Sequence, residues 1–200
     1  MKLLSLIVAG AALVTATATF AADRQIHVRG EVSAVSATEV TITDRKGKKS
    51  TIKLPETAKV LDVSRTNADS IKENSYLGVA AAPAPEGKVR ALGVMVFPEA
   101  ARGLHEGHFP WDKGDRSTMT NATVAKLSKK ASATELEMRF GDKTQQVVLD
   151  KSTVYGQFVP GKRDLIAVGA KVMVIADQGA DGATAANTVL VGRDGFLPPI

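Results

Sequence analysis

One alternating pattern, written twice, constrains this chain of 200 residues more than any other feature. From Arg29 the stretch RGEVSAVSATEVTITDRKGKKSTIKL alternates apolar and polar residues in short runs. A period of two puts every second side chain on one face of a strand. Val32, Val35, Val40, Ile42, Ile52 and Leu54 are therefore expected on buried faces. Arg45-Lys46-Gly47-Lys48 interrupts the pattern as a hairpin tip, with Gly47 free to take φ > 0. A short connection and a turn-like or helical element around Ala68–Lys72 follow. A strand starts at Tyr76, an Ala/Pro/Gly loop spans Ala80–Gly87, and a fifth strand runs from Val89 to Phe97.

The same order returns from Asn121: two strands around a Gly141-Asp142-Lys143 turn, a connection, a glycine-led strand and a last strand. Matching the turns sets Ile71 beside Ile166, Asn74 beside Gly169, Leu77 beside Val172 and Val79 beside Val174. Asn is the non-glycine residue best suited to φ > 0, which gives the Asn/Gly match a physical basis. Self-similarity of this kind marks a duplicated domain. The expected fold is all-β, two tandem small five-stranded barrels at residues 25–98 and 117–195, joined by a connector over 99–116. The tail FLPPI is expected as an extended strap or a frayed end.

The first 22 residues read as a secretory signal peptide: a lone Lys2, an apolar run from Leu3 to Val14, then small residues. Cleavage is expected after Ala21 (residues 1–21 removed), with Ala18 as the other plausible point. The apolar run is shorter than the roughly 20 residues a membrane helix needs. No second long apolar stretch follows, so the product is expected to be soluble and periplasmic or secreted, with no transmembrane span.

The chain has no cysteine, which excludes disulfides, thiolate catalysis and Cys-ligated zinc. The formal charge of +5 is spread over interspersed charges of both signs, and aromatic residues are only 4%. That lacks the basic stripe with stacking aromatics of a nucleic-acid binder. No G-x-S-x-G elbow or spaced carboxylate pair points to an enzyme.

Gly30-Glu31-Val32-Ser33-Ala34-Val35, Val40-Thr41-Ile42-Thr43, Gly47-Lys48-Lys49-Ser50-Thr51-Ile52, then Thr153-Val154 and Ile166-Ala167-Val168-Gly169-Ala170-Lys171-Val172-Met173-Val174 form one repeat motif. The chain resembles a family of exported bacterial proteins built from small OB-like domains of unknown function. The resemblance covers both repeats and implies OB-like barrels. The stretch EGHFPWDKGDRSTMTNATV is similar to a subset whose labels mention a metal transporter permease. A chain without a membrane span cannot be a permease, so for this protein that label implies at most a soluble accessory.

The connector carries GLHEGHFPWD, with two of the three histidines and the only tryptophan. His105 and His108 are spaced to share a metal, with Glu106, Asp112 or Asp115 adding oxygen, a set that suits Zn²⁺, Cu²⁺ or Ni²⁺. Gly103, Gly107 and Pro110 oppose a helix there. The competing reading is an ordinary connector whose histidines face solvent or hydrogen-bond locally; Phe109, Pro110 and Trp111 are expected to pack between the domains, with Trp111 as a subsite for a sugar or another planar ligand as the alternative. His27 joins this group only if the N-terminus folds back onto the connector. The basic hairpin tip reads as a solvated end that blunts edge pairing, or as a contact for anionic lipid or polysaccharide. The first functional expectation is a non-enzymatic binding or interaction module for an envelope protein or polysaccharide. The second is a periplasmic metal-binding accessory that uses His105 and His108.

Overall fold

A computed structural model describes residues 24–130 and 133–200; the expected signal peptide lies outside the described residues. The described residues form thirteen strands. The first six are β1 (Arg24–Val35), β2 (Glu39–Thr43), β3 (Lys49–Lys53), β4 (Lys59–Arg65), β5 (Tyr76–Pro83) and β6 (Val89–Val96). Next come β7 (Gly107–Pro110), β8 (Thr118–Lys129), β9 (Thr134–Phe140) and β10 (Lys143–Leu149). Last are β11 (Val154–Pro160), β12 (Lys171–Gln178) and β13 (Thr184–Gly192). The fold is all-β, as the period-two pattern requires. No helix among the described residues is long and apolar enough to cross a membrane.

The strands pair into one sheet, and two parallel contacts close rings within it. β1, β2, β3, β13 and β12 form one ring, closed where Ala185 of β13 meets Lys53 of β3. β8, β9, β10, β6 and β5 form the other, closed where Val147 and Val148 meet Val89 and Arg90. Each ring takes three strands from one sequence repeat and two from the other. The boundary expected between residues 98 and 117 therefore does not divide the sheet. The physical reason lies in β4 and β11, in stretches expected to be connections. After its meander each copy runs through one of these strands into its neighbour, and β4 and β11 pair with each other.

The repeat is nonetheless accurate in detail. Asn74 (φ 67°) and Gly169 (φ 89°) both have positive φ, as do Gly47 and Gly141 at the hairpin tips. The Asn74 N–H donates to the Val124 carbonyl (2.8 Å), and the Gly169 N–H donates to the Val32 carbonyl (2.8 Å). Each thus binds the first long strand of the other copy. The β1–β2 ladder slips between Val32 and Ala34 and the β8–β9 ladder slips between Val124 and Lys126. Such bulges bend a strand and swap its faces. Val35, beyond the first bulge, consequently lies 39% exposed instead of on the buried face expected for it. Ala80–Pro83, expected in a loop, belong to β5, whose residues from Tyr76 to Ala81 are all buried.

Three cores result. Val32, Val40, Ile42, Ile52, Val172 and Val174 fill the first ring. Leu77, Val79, Val94, Val124, Leu136 and Met138 fill the second. The third lies between the rings and gathers Val63, Met95, Met119, Phe158, Met173 and Leu190. The tail completes it: Phe196 and Ile200 are buried there, so FLPPI is a strap. Gly93 and Gly192 let the strap close, because a Cβ at either would collide with the carbonyl oxygen of Pro199 or Phe196 respectively.

Candidate functional site

The connector is organised by its pairing. Gly107–Pro110 lie antiparallel to Thr118–Asn121 as β7 against β8, an extended course that Pro110 favours at Phe109. The hairpin continues where the Trp111 N–H donates to the Ser117 carbonyl (2.8 Å), and the Ser117 hydroxyl donates to the Trp111 carbonyl (2.8 Å). Phe109 and Trp111 pack against the third core, with their ring centroids 6.1 Å apart.

From there the connector grips β1. The Trp111 ring lies 4.0 Å from that of His27, centroid to centroid, tilted by 36°. Asp112 accepts two hydrogen bonds from the Arg29 guanidinium (2.7 and 3.0 Å) and lies 3.1 Å from His27 Nδ1. Arg29 Nε donates to the Ile200 carbonyl (2.9 Å), and Lys113 Nζ donates to the Pro199 carbonyl. One cluster thus clamps β1, the connector and the tail strap. A bidentate Arg–carboxylate pair adds geometric definition that a lysine would not provide.

The electrostatics follow from this packing. Burial pushes the Asp112 carboxyl up, but the bonds from His27 and Arg29 outweigh it and hold the group well below the usual carboxylate range. Burial, reinforced by repulsion from Arg29 and Arg45, lowers the Lys113 ammonium to about 8. The Asp112–His27 pair has the outline of a general base. Among the described residues the buried His27 Nε2 has no hydrogen-bond partner.

The residues considered for a metal are dispersed. His108 Nδ1 bonds the Thr120 hydroxyl (2.8 Å), its ring stacks on Phe140 at 6.0 Å, and burial lowers its pKa. Glu106 accepts the Gly141 N–H (2.8 Å). His105 is exposed, with φ 49°, and its carbonyl accepts from the Asn121 amide (3.1 Å). Asp112 is engaged by β1, and Asp115 pairs with its neighbour Arg116 at 3.5 Å. Among the described residues no group of three or more His, Asp or Glu side chains is placed to hold a metal ion.

No family model, curated protein or solved structure matches this chain. The site must therefore be read from its own chemistry.

The two rings present different outer faces. On β2 and β3 the outward rows are Glu39 opposite Lys53, Thr41 opposite Thr51 and Thr43 opposite Lys49, with the two threonine hydroxyls 3.0 Å apart. The exposed tip residues Arg45, Lys46 and Lys48 extend this row of cations. On β9 and β10 the corresponding positions include Glu135, which pairs with Lys130 (2.8 Å), Glu137, which accepts from Gln146 (2.8 Å), and Arg139. The first face carries two lysines against one glutamate and is rich in hydroxyls; its counterpart carries two carboxylates against one guanidinium. The sequence marks the basic tip as one group, and the strand register adds Lys53 and the facing threonines to the face that carries Lys49.

Proposed function

We propose that this protein is an exported, non-enzymatic binding module of the cell envelope whose two rings are OB-like barrels that have exchanged their last two strands. A three-strand meander closed by a further pair matches the five-stranded, partly open form of that fold. The ligand is an acidic polysaccharide laid across β2 and β3 of the first ring, the face that OB-like barrels commonly use for extended polymers.

The observation that carries this reading is the asymmetry of the two faces. Threonine hydroxyls donate to and accept from sugar hydroxyls, while Lys49, Lys53 and the tip supply charge along an extended path. The face has no aromatic platform, so recognition is polar and salt-sensitive. The buried joint keeps the two rings in one arrangement, as a scaffold for binding requires.

The test is binding of a purified acidic envelope polysaccharide, followed by calorimetry at low and high salt. The wild type should bind and lose affinity as salt rises. Lys49→Glu with Lys53→Glu should abolish binding, and Glu137→Lys should not. Binding that is indifferent to both changes would remove the first ring from the reading.

A further inference from the structure

We propose that β1 carries a strand-acceptor edge over Ile26–Arg29 that takes an extended, acidic segment of a partner polypeptide. Both copies begin with a long strand, and the structure shows what such a strand does with the edge opposite its ring neighbour. In the second copy, Thr118–Asn121 lie between β5 on one side and β7 on the other. In the first copy, the corresponding residues Ile26–Arg29 pair with β12, while pairing with β2 begins only at Glu31. Among the described residues no strand occupies the place that β7 has in the second copy.

Backbone orientation supports this. Val32 exchanges its N–H and C=O with Ala170 and Gly169 on the β12 side, so the alternate residues His27 and Arg29 direct theirs to the other side. Their side chains are held by Trp111 and Asp112, which fixes this stretch of β1 in place beside its unpaired edge.

The neighbouring hairpin tip selects the partner. Glu106, just before β7, caps the Gly141 N–H at the tip of the second ring. The first ring offers Arg45, Lys46 and Lys48 at that place, all exposed. An incoming segment with a carboxylate there would meet cations. A second copy of this chain is a poor occupant, because β1 against β1 would bring Arg24 and Arg29 of both copies together.

The probe is a synthetic peptide of residues 104–110, LHEGHFP, with its Glu→Lys counterpart as control, added to the full chain. Amide hydrogen exchange at His27 and Arg29 should slow at least about tenfold with the acidic peptide. The Lys counterpart should bind at least about tenfold more weakly, and Arg45→Glu should reverse that preference. The proposal is overturned if peptide at about 1 mM leaves these amides unchanged. It is also overturned if they are already protected in the free protein, or if the free protein is a dimer. Lys49→Glu with Lys53→Glu, which removes polysaccharide binding, should leave the peptide effect intact, so the two readings fail separately.

Discussion

Val63 and Phe158 face each other across the β4–β11 ladder, and they are the same position of the two copies. The copies are thus related by an approximate two-fold axis through this pair. The surrounding pairings obey it: Lys59 aligns with Thr188 on one side, and Val154 aligns with Gly93 on the other. Both residues lie in the core between the rings. What happens at this pair is felt by both rings.

Phe158→Ala should therefore cost about 3–5 kcal/mol, as for an aromatic removed from a packed core. Denaturant unfolding should remain a single transition at a lower midpoint, because each ring lacks two strands without the other. Two separated transitions in either protein would show that the rings fold independently.

Asp112→Asn should weaken the clamp on β1 by about 1 kcal/mol at neutral pH, a modest figure because the carboxylate is half exposed and screened. The sign follows from its lowered pKa. The folded state keeps Asp112 ionised where the unfolded chain would protonate it, so its stabilisation is present above the ordinary carboxylate pKa. That stabilisation is lost as pH falls through the folded value. Melting curves of wild type and variant should accordingly differ at pH 7 and draw together in strong acid.

Lys113 acts in the same direction, in a higher pH window. With its ammonium lowered to about 8, the unfolded chain binds more protons than the folded one between that value and the ordinary lysine range. Stability contributed at this position rises with pH across the window. Lys113→Met should flatten that rise in thermal midpoints measured from pH 7.5 to 10.5.

Deleting residues 196–200 should destabilise the fold by about 3–5 kcal/mol, since it strips Phe196 and Ile200 from the third core. It also removes the carbonyls that Arg29 and Lys113 bind. Gly93→Ala should approach the same effect by pushing the strap away at Pro199. Calorimetric melting of both variants measures this, and a wild-type midpoint for the deletion would show the strap to be dispensable.

Zinc in tenfold excess should leave the melting temperature within about 1 °C of its metal-free value, because a site that binds the folded state raises stability by mass action. A rise of several degrees, abolished by His105→Ala and His108→Ala, would restore the metal reading that the dispersed side chains oppose.

Part of the joint was legible beforehand. Pro110 biases its neighbour to extended backbone, and a lone tryptophan between two repeats has little reason to face water, so packing of Phe109 and Trp111 could be expected. Arg29 and Lys113 carried no signal. Their roles depend on a fold-back of β1 onto the connector and on a strap that arrives from the far end of the chain. His27 reaches the connector through that fold-back, where it meets Trp111 and Asp112 and not His105 or His108.

The sequence by itself determined that the protein is built of strands, where its hairpins turn and that its pattern occurs twice. Period-two alternation, Gly47, Gly141 and the Asn74/Gly169 match are local properties that need no partner to be read. Only the tertiary structure decided which strands complete which ring. Alternation specifies the face a strand buries, not the strand it lies beside; Leu77 lies in the second ring and its repeat counterpart Val172 in the first. β4 and β11 settle the choice by carrying each copy across to the other, where Val63 meets Phe158.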